Sequence, residues 1–169
     1  MSVSSRKIYF YNLFASLIPS TKFFKIKSFF LRKCGISLGH NVRISSSVKV
    51  MFNGNLFIGN NTWIGHQVLI TGGYSTIKIG SEVDIAPKVL IVTGTHEISK
   101  DINSSKIAGS GKSLSIEIGD GSWIGANSTI LGGVKIGRKS IVAAGSVVTK
   151  DIPSNVLCAG VPARIVKKI

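Results

Sequence analysis

A six-residue repeat of aliphatic side chains runs through most of this 169-residue chain. From Ile118 to Val148 an aliphatic residue falls at every sixth position without a slip. The same spacing occurs in two earlier blocks and, more weakly, in a first block that begins at Leu38. A short fixed period is typical of stacked identical units and not of an ordinary globular core. The repeat positions are Leu38, Ile44, Val50, Ile58, Ile64, Ile70, Ile79, Ile85, Ile91, Ile118, Ile124, Ile130, Ile136, Val142 and Val148.

Six residues are enough for one short strand and a tight corner, and three such units would close one triangular coil. The period is far from the 3.6 residues of an amphipathic helix, and β-branched residues favour strands. The sequence therefore predicts an all-β solenoid of about five coils over residues 38–155. The aliphatic residues would point inward, and Gly59-Asn60, Gly119-Asp120 and Gly125-Ala126-Asn127 would form corners with positive φ. A second, smaller inward set is expected at Thr62, Val68, Val83, Val89, Thr95, Ser122, Ser128, Val134, Ser140 and Ser146.

Two interruptions break the repeat. Nine residues separate Ile70 from Ile79, and a much longer polar segment lies between Ile91 and Ile118. A long insertion in a compact repeat domain is usually functional or disordered, so we expect one extruded, structureless loop over about 97–117. His96 stands at its beginning, and a histidine at the edge of a loop on a regular scaffold is a good catalytic candidate.

The N-terminal residues 1–35 are aromatic and basic, in contrast to the repeat domain with its C-terminal tail at 36–169. Two short helices, over 6–17 and 22–33, are expected to cap the open end of the solenoid, because an uncapped end exposes apolar edges. A second interpretation stays open. In it, this segment rests as an interfacial helix on anionic lipid, a peripheral contact with the inner face of a membrane.

The net charge of +14 is dispersed along the chain, and no nucleic-acid-binding motif is visible. We therefore expect an anionic small molecule or a lipid-linked acceptor as partner, and no nucleic acid. No apolar run reaches the ~18 residues of a membrane span. The N-terminal apolar stretch lacks a small-x-small cleavage site, and the two cysteines have no metal-ligand spacing. These features favour a cytoplasmic protein.

The segment 116–166, with its GSVVTKDIP run followed by AGVPAR, resembles the hexapeptide-repeat acyltransferases. Within that family the likeness is greatest to galactoside, maltose and polysaccharide O-acetyltransferases, and it extends over about residues 38–169. The resemblance implies a left-handed parallel β-helix and a homotrimer. It also implies acetyl-CoA as the acyl donor, bound in the cleft between neighbouring subunits, and no metal.

By the same resemblance, His96, which follows the IAPKVLI segment at 85–91, is the general base. It would take the proton of an acceptor hydroxyl that attacks the thioester directly. The backbone N–H of Ala126 would stabilise the oxyanion. Glu97, Asp84 or a backbone carbonyl would orient the imidazole. The coenzyme A contacts implied by the family are Ala126, Ala144, Thr149, Lys150, Arg164 and Lys167.

The acceptor site departs from the galactoside enzymes, since Gly65 and Gly73 stand where those enzymes have an acceptor-binding Asn and Asp. We therefore expect a sugar hydroxyl of a surface polysaccharide (O-antigen, capsule or exopolysaccharide) or of its precursor. An amino-sugar N-acetyltransferase and a non-catalytic β-helix scaffold remain alternatives. A zinc carbonic anhydrase is disfavoured, because His40, His66 and His96 fall in different coils and such a site needs three converging ligands.

Overall fold

The computed structural model describes residues 2–101 and 105–169. In that part of the chain, two N-terminal helices, α1 (Ser5–Ser16) and α2 (Phe24–Lys33), precede a series of short strands. The strands are β1 (Ser37–Leu38), β2 (Arg43–Ile44), β3 (Lys49–Phe52), β4 (Asn55–Ile58), β5 (Trp63–Ile64), β6 (Leu69–Gly72), β7 (Thr76–Ile79), β8 (Asp84–Ile85), β9 (Leu90–Val92), β10 (Gly94–Ile98), β11 (Ala108–Ser113), β12 (Ile116–Ile118), β13 (Trp123–Ile124), β14 (Thr129–Leu131), β15 (Lys135–Ile136), β16 (Ile141–Val142), β17 (Val147–Val148), β18 (Val156–Gly160) and β19 (Ala163–Lys168).

Three parallel sheets form the sides of a triangular prism, as the repeat predicts. The first sheet has the strand order β1-β4-β7-β12-β15, and the third has the strand order β3-β6-β9-β14-β17. The second sheet runs β2-β5-β8-β13-β16-β18, and β19 is added antiparallel to β18 at its end. Each sheet takes every third strand of the repeat, so successive coils stack on one another.

The repeat positions fill the inside of the prism. Ile64, Ile85, Ile124 and Val142 follow one another in register along the second sheet, and all four are fully buried. Except for the half-buried Leu38, every other repeat position is also buried. Stacked aliphatic columns of this kind remove apolar surface from water and are the main stabilisation of the solenoid.

The smaller inward set is buried as expected, with one exception. Thr95 was predicted to point inward but is exposed, and Thr93 is fully buried instead. The chain leaves the prism directly after Thr93, so the six-residue count cannot be continued to Thr95.

The corners use glycine and positive φ at different positions. Positive φ falls three residues after the aliphatic residue, as at Asn61, Gln67 and Asn127. The prediction of positive φ at Gly59-Asn60 and at Gly119-Asp120 was wrong, although Asn127 conforms. Glycine directly after the aliphatic residue is required for space. A Cβ on Gly59 would lie 2.5 Å from the backbone of Gly80 in the next coil.

The two helices lie at the first-coil end of the prism, close to the expected ranges. Helix α1 packs on β3, and α2 packs on β1 and β2. Val3 N–H donates to the Gly54 carbonyl at 2.9 Å, and the Asn12 side-chain amide donates to the Val50 carbonyl at 2.9 Å. In the described part of the chain, no helix is long and apolar enough to cross a membrane.

The long insertion has regular structure, which corrects the expectation of a structureless loop over 97–117. Strands β10 and β11 pair antiparallel and form an arm that projects from the prism. The arm begins at Gly94, earlier than expected, and its base is closed by the Leu114 N–H, which donates to the Thr93 carbonyl at 2.9 Å. Residues 102–104 of the predicted loop lie outside the described residues.

Candidate active site

Two corners of the prism hold most of the residues singled out from the sequence. The arm corner lies between the third and first sheets and comprises residues 72–75, 93–101, 105–115, 132–134 and 149–151. The alanine corner lies between the second and third sheets and comprises residues 65–67, 86–88, 125–127 and 143–145. The two corners therefore lie at opposite ends of the strands of the third sheet.

His96 belongs to strand β10 of the arm and is paired with Gly111 of β11. Its side chain is exposed, and its Nδ1 lies 3.0 Å from the Gly109 carbonyl oxygen. A carbonyl only accepts hydrogen bonds, so Nδ1 must bear the proton. The neutral ring then has a bare Nε2 that can accept a proton. The backbone of β11 thus fixes the tautomer that a general base requires.

The imidazole lines a groove of about 550 Å³ beside the arm. Three glycines, Gly73, Gly94 and Gly111, contribute backbone without side chains, and Tyr74 is largely exposed at its edge. A Cβ on Gly111 would be in ordinary contact, 3.6 Å from His96 Cε1. The groove therefore has open space beside the imidazole for a small polar molecule.

Glu97 and Asp84 are not the groups that hold the imidazole. Glu97 forms an exposed ion pair with Lys112, with 3.5 Å between its Oε1 and the Lys112 Nζ. Asp84 lies exposed on the outside of the second sheet, in register between the two tryptophans of β5 and β13. The third option from the sequence, a backbone carbonyl, is the one observed.

Ala126 and Ala144 stack at the alanine corner. The Ala126 carbonyl accepts a hydrogen bond of 2.8 Å from the N–H of Gly145, the residue after Ala144. Ala126 is half-buried and Ala144 is exposed. Small side chains in adjacent coils leave a smooth strip along which a narrow chain could lie.

The four remaining predicted residues lie in two places. Thr149 and Lys150 are exposed at the arm corner, directly after β17. Arg164 and Lys167 lie on β19, paired with Ala159 and Leu157 of β18. One copy of the chain therefore brings His96 to the same corner as Thr149 and Lys150 but leaves Ala126 and Ala144 across the third sheet.

Sequence reasoning did not single out Gly109 or Tyr74. Tyr74 belongs to the nine-residue interval after Ile70, and Gly109 belongs to the insertion after Ile91. Both insertions follow a repeat position of the third sheet, so both must emerge at the arm corner in successive coils. That coincidence was the available signal for a shared groove.

The histidines do not converge on a metal site. The His66 Nδ1 lies 3.1 Å from Ser45 Oγ at the alanine corner, and His40 lies at another corner, where its backbone N–H donates to Asn60 Oδ1. Across residues 2–101 and 105–169, no group of three His, Cys, Asp or Glu side chains could hold a metal ion.

Comparison with known proteins identifies the family. Residues 115–150 match the family model described as bacterial transferase hexapeptide (six repeats). Over 149 residues the chain is 33% identical to the putative colanic acid biosynthesis acetyltransferase WcaF of Escherichia coli K12, a match that covers 86% of this chain and 76% of that protein. The chain belongs to the hexapeptide-repeat acyltransferase family. 

Other members of the hexapeptide-repeat acyltransferase family agree in sequence and in fold. The chain is 37% identical over 133 residues to the galactoside O-acetyltransferase of E. coli K12, covering 79% of this chain and 64% of that enzyme's length. A hexapeptide-repeat acetyltransferase from Vibrio cholerae, crystallised with acetyl-coenzyme A, superposes with a TM-score of 0.72 at 26% identity, covering 97% of this chain and 86% of that one. The structural likeness implies that the prism is a left-handed β-helix.

Proposed function

We propose that this chain transfers an acetyl group from acetyl-CoA to a hydroxyl group of a saccharide. The observation on which the proposal rests is the hydrogen bond between His96 Nδ1 and the Gly109 carbonyl, which leaves Nε2 as a base at the groove. Family membership supports the donor, since one similar protein was crystallised with acetyl-coenzyme A. The similarity to WcaF and to galactoside O-acetyltransferase supports a sugar acceptor.

The proposed reaction is a direct attack on the thioester. Nε2 of His96 takes the hydroxyl proton as the acceptor oxygen forms its bond to the acetyl carbonyl carbon. The tetrahedral intermediate places negative charge on the former carbonyl oxygen, and the Ala126 N–H is the proposed donor to it. Collapse breaks the carbon–sulfur bond, and the thiolate of coenzyme A leaves and takes up the proton held on His96 Nε2, which regenerates the neutral base. No covalent acyl-enzyme is required.

The donor is proposed to lie along the alanine corner. Ala126 and Ala144 would contact the pantetheine arm, and Thr149, which lies at the arm corner, would be a further contact from the neighbouring copy. Lys150 of that neighbouring copy, together with Arg164 and Lys167, would meet the negatively charged phosphates. Because the alanine corner and the arm corner lie at opposite ends of the strands of one sheet, His96 of one copy would act on a donor held by the next copy. A homotrimer satisfies this requirement, since each interface joins the arm corner of one subunit to the alanine corner of its neighbour.

The proposed acceptor is a sugar of a surface polysaccharide or of its lipid-linked precursor. Gly73 lies in the His96 groove, where a side chain would reduce the space for the acceptor, and the exposed ring of Tyr74 offers a flat apolar surface to a sugar face. Gly65 has a different role, because a Cβ there would lie 2.8 Å from the Ile85 carbonyl oxygen of the next coil. An amino sugar would use the same base and is the alternative acceptor.

The test is an acceptor screen. The protein is incubated with acetyl-CoA and a panel of neutral, acidic, amino and lipid-linked saccharides, and release of the free thiol is followed. Products are treated with mild alkali, which cleaves an O-acetyl ester and leaves an N-acetyl amide. We expect alkali-labile acetyl groups on one saccharide class. An alkali-stable product would identify the N-acetyltransferase, and no thiol release with any acceptor would favour a scaffold.

A further inference from the structure

The N-terminal helices are apolar on the side that faces away from the prism. In α1, Ile8, Tyr11 and Ala15 are buried against the coils, as in any amphipathic helix. A second set on the opposite side, Phe10, Leu13, Phe14 and Leu17, has i, i+3, i+4, i+7 spacing and is exposed. Phe10 is 61% exposed and Leu17 is 82% exposed. A helix that is apolar on both sides is expected only where both sides become buried.

Helix α2 extends this apolar surface. Phe14 of α1 and Phe30 of α2 have ring centroids 4.9 Å apart, and Phe29 packs edge-on against Phe30 at 5.5 Å. Phe29 remains 54% exposed despite these contacts. The two helices therefore present one continuous surface, which we call the aromatic strip: Tyr9, Phe10, Leu13, Phe14, Leu17, Ile26, Phe29 and Phe30.

The charges around the aromatic strip are all positive. The first acidic residue in the sequence is Glu82, so neither helix contains a carboxylate. Exposed cations are interleaved with the strip, and the Lys33 ammonium lies over the Phe29 ring at 5.6 Å from its centroid. The exposed cations on the helices and the turn between them are Arg6, Lys7, Lys22, Lys25, Arg32 and Lys33.

The first turn of α1 is electrostatically unfavourable without a partner. Arg6 and Lys7 stand at the positive end of the helix dipole, and the N-cap residue, Ser4, makes no side-chain capping hydrogen bond. An external layer of negative charge would remove this conflict. Another copy of the same surface would not, because it would oppose cations to cations.

We propose that the aromatic strip and its cations bind an anionic membrane surface. Large apolar side chains interleaved with lysine, and no carboxylates, are the chemistry of an interfacial helix, which inserts its rings among acyl chains and sets its ammonium groups among headgroup phosphates. Both helices are held to the prism through their inner faces, so they can present this surface without unfolding. The inference goes beyond the proposed acetyl transfer and does not depend on it, although it would bring the groove close to a lipid-linked saccharide.

The test measures binding of the full chain to vesicles by co-sedimentation. Phosphatidylcholine vesicles are compared with vesicles that also contain phosphatidylglycerol, each at low and high salt. We expect binding that needs the anionic lipid and weakens as salt screens the headgroups. The Lys22→Gln/Lys25→Gln variant should lose about fivefold in vesicle affinity for each cation removed. The Leu17→Ser/Phe29→Ser variant should lose about tenfold or more.

Matched controls remove a cation or an apolar residue elsewhere. Lys139→Gln, on a prism corner, and Ile169→Ser, at the C-terminus, should bind vesicles like the wild type, and circular dichroism should be unchanged in all variants. The inference is overturned if vesicle binding is absent, does not depend on anionic lipid, or is as strong in Lys22→Gln/Lys25→Gln and Leu17→Ser/Phe29→Ser as in the wild type. It is also overturned if Leu17→Ser/Phe29→Ser leaves vesicle binding intact and instead dissociates an oligomer, because the strip is then a contact between copies. Acetyl transfer to a soluble acceptor should be unchanged in both double variants, which separates this test from that of the proposed function.

Discussion

At the scale of single residues, Lys27 is a buried cation between α2 and the first coil. Its side chain is fully buried, and its Nζ donates to the Ser20 carbonyl at 3.0 Å and to Ser46 Oγ at 3.1 Å. The ammonium also lies 4.7 Å from the centroid of the Phe24 ring. Lys27 thus ties the turn between the helices to the prism, but burial makes its charged form costly.

Burial lowers the pKa of Lys27 to about 8. The unfolded chain has a normal lysine and binds more protons between that pH and the usual lysine pKa of about 10.4, so the free energy of unfolding should rise with pH in this window. Lys27→Met removes the titrating group. We expect the difference in unfolding free energy, wild type minus Lys27→Met, to increase by about 2 kcal/mol from about pH 7.5 to pH 9.5. Urea unfolding at the two pH values measures it, and parallel pH curves would contradict it.

At the scale of the element, the corner is the unit in which sequence and space are most tightly linked. Gly59 lies against the backbone of Gly80 and Ser81, so its hydrogen is the largest substituent that fits. Gly145 has positive φ but open space around a Cβ, and Asn127 occupies the equivalent position one coil earlier. One glycine is therefore required for packing, and the other only for backbone conformation.

This distinction predicts opposite outcomes for two substitutions. Gly59→Ala should lower the free energy of unfolding by about 1–3 kcal/mol, because two coils must separate to admit the methyl group. Gly145→Asn should change it by less than about 0.5 kcal/mol, because asparagine tolerates positive φ. Thermal unfolding of both variants beside the wild type provides the measurement. Equal destabilisation by the two substitutions would mean that conformation, and not space, decides which residue the corner accepts.

The period of the sequence could predict the prism because it repeats a local rule. Each Ile or Val at a repeat position faces inward for the same reason, and the burial of nearly all of them confirms it. The prediction that Thr95 points inward was wrong, because the six-residue rule ends where the chain leaves the prism. The Gly109 carbonyl could not be predicted as the partner of His96, since the pairing of β10 with β11 follows no repeat. The sequence offered three orienting groups and had no means to choose among them.

At the scale of the whole molecule, the proposed site is divided between two corners of the prism, at opposite ends of the strands of the third sheet. His96 belongs to the arm corner, and Ala126 and Ala144 belong to the alanine corner. The separation follows from the winding, because residues at different corners of a prism cannot meet within one copy. The proposed acetyltransferase is therefore complete only in an assembly, and the central claim is that His96 of one subunit serves a donor held by the next.

Mixed assemblies test this claim most directly. His96→Ala should reduce acetyl transfer by about 10²–10⁴-fold, the usual effect of removing a general base, while coenzyme A binding is retained. Ala126→Trp should block the donor strip and leave His96 intact. The two variants are co-expressed with different tags, and assemblies containing both are isolated and checked by native mass spectrometry.

If base and donor site come from different subunits, each isolated mixed trimer has both intact at one of its three interfaces, so about a third of wild-type activity should return. Mixing His96→Ala with His96→Asn is the control and should restore nothing. Isolated mixed assemblies without recovered activity, or wild-type turnover by His96→Ala alone, would contradict the account.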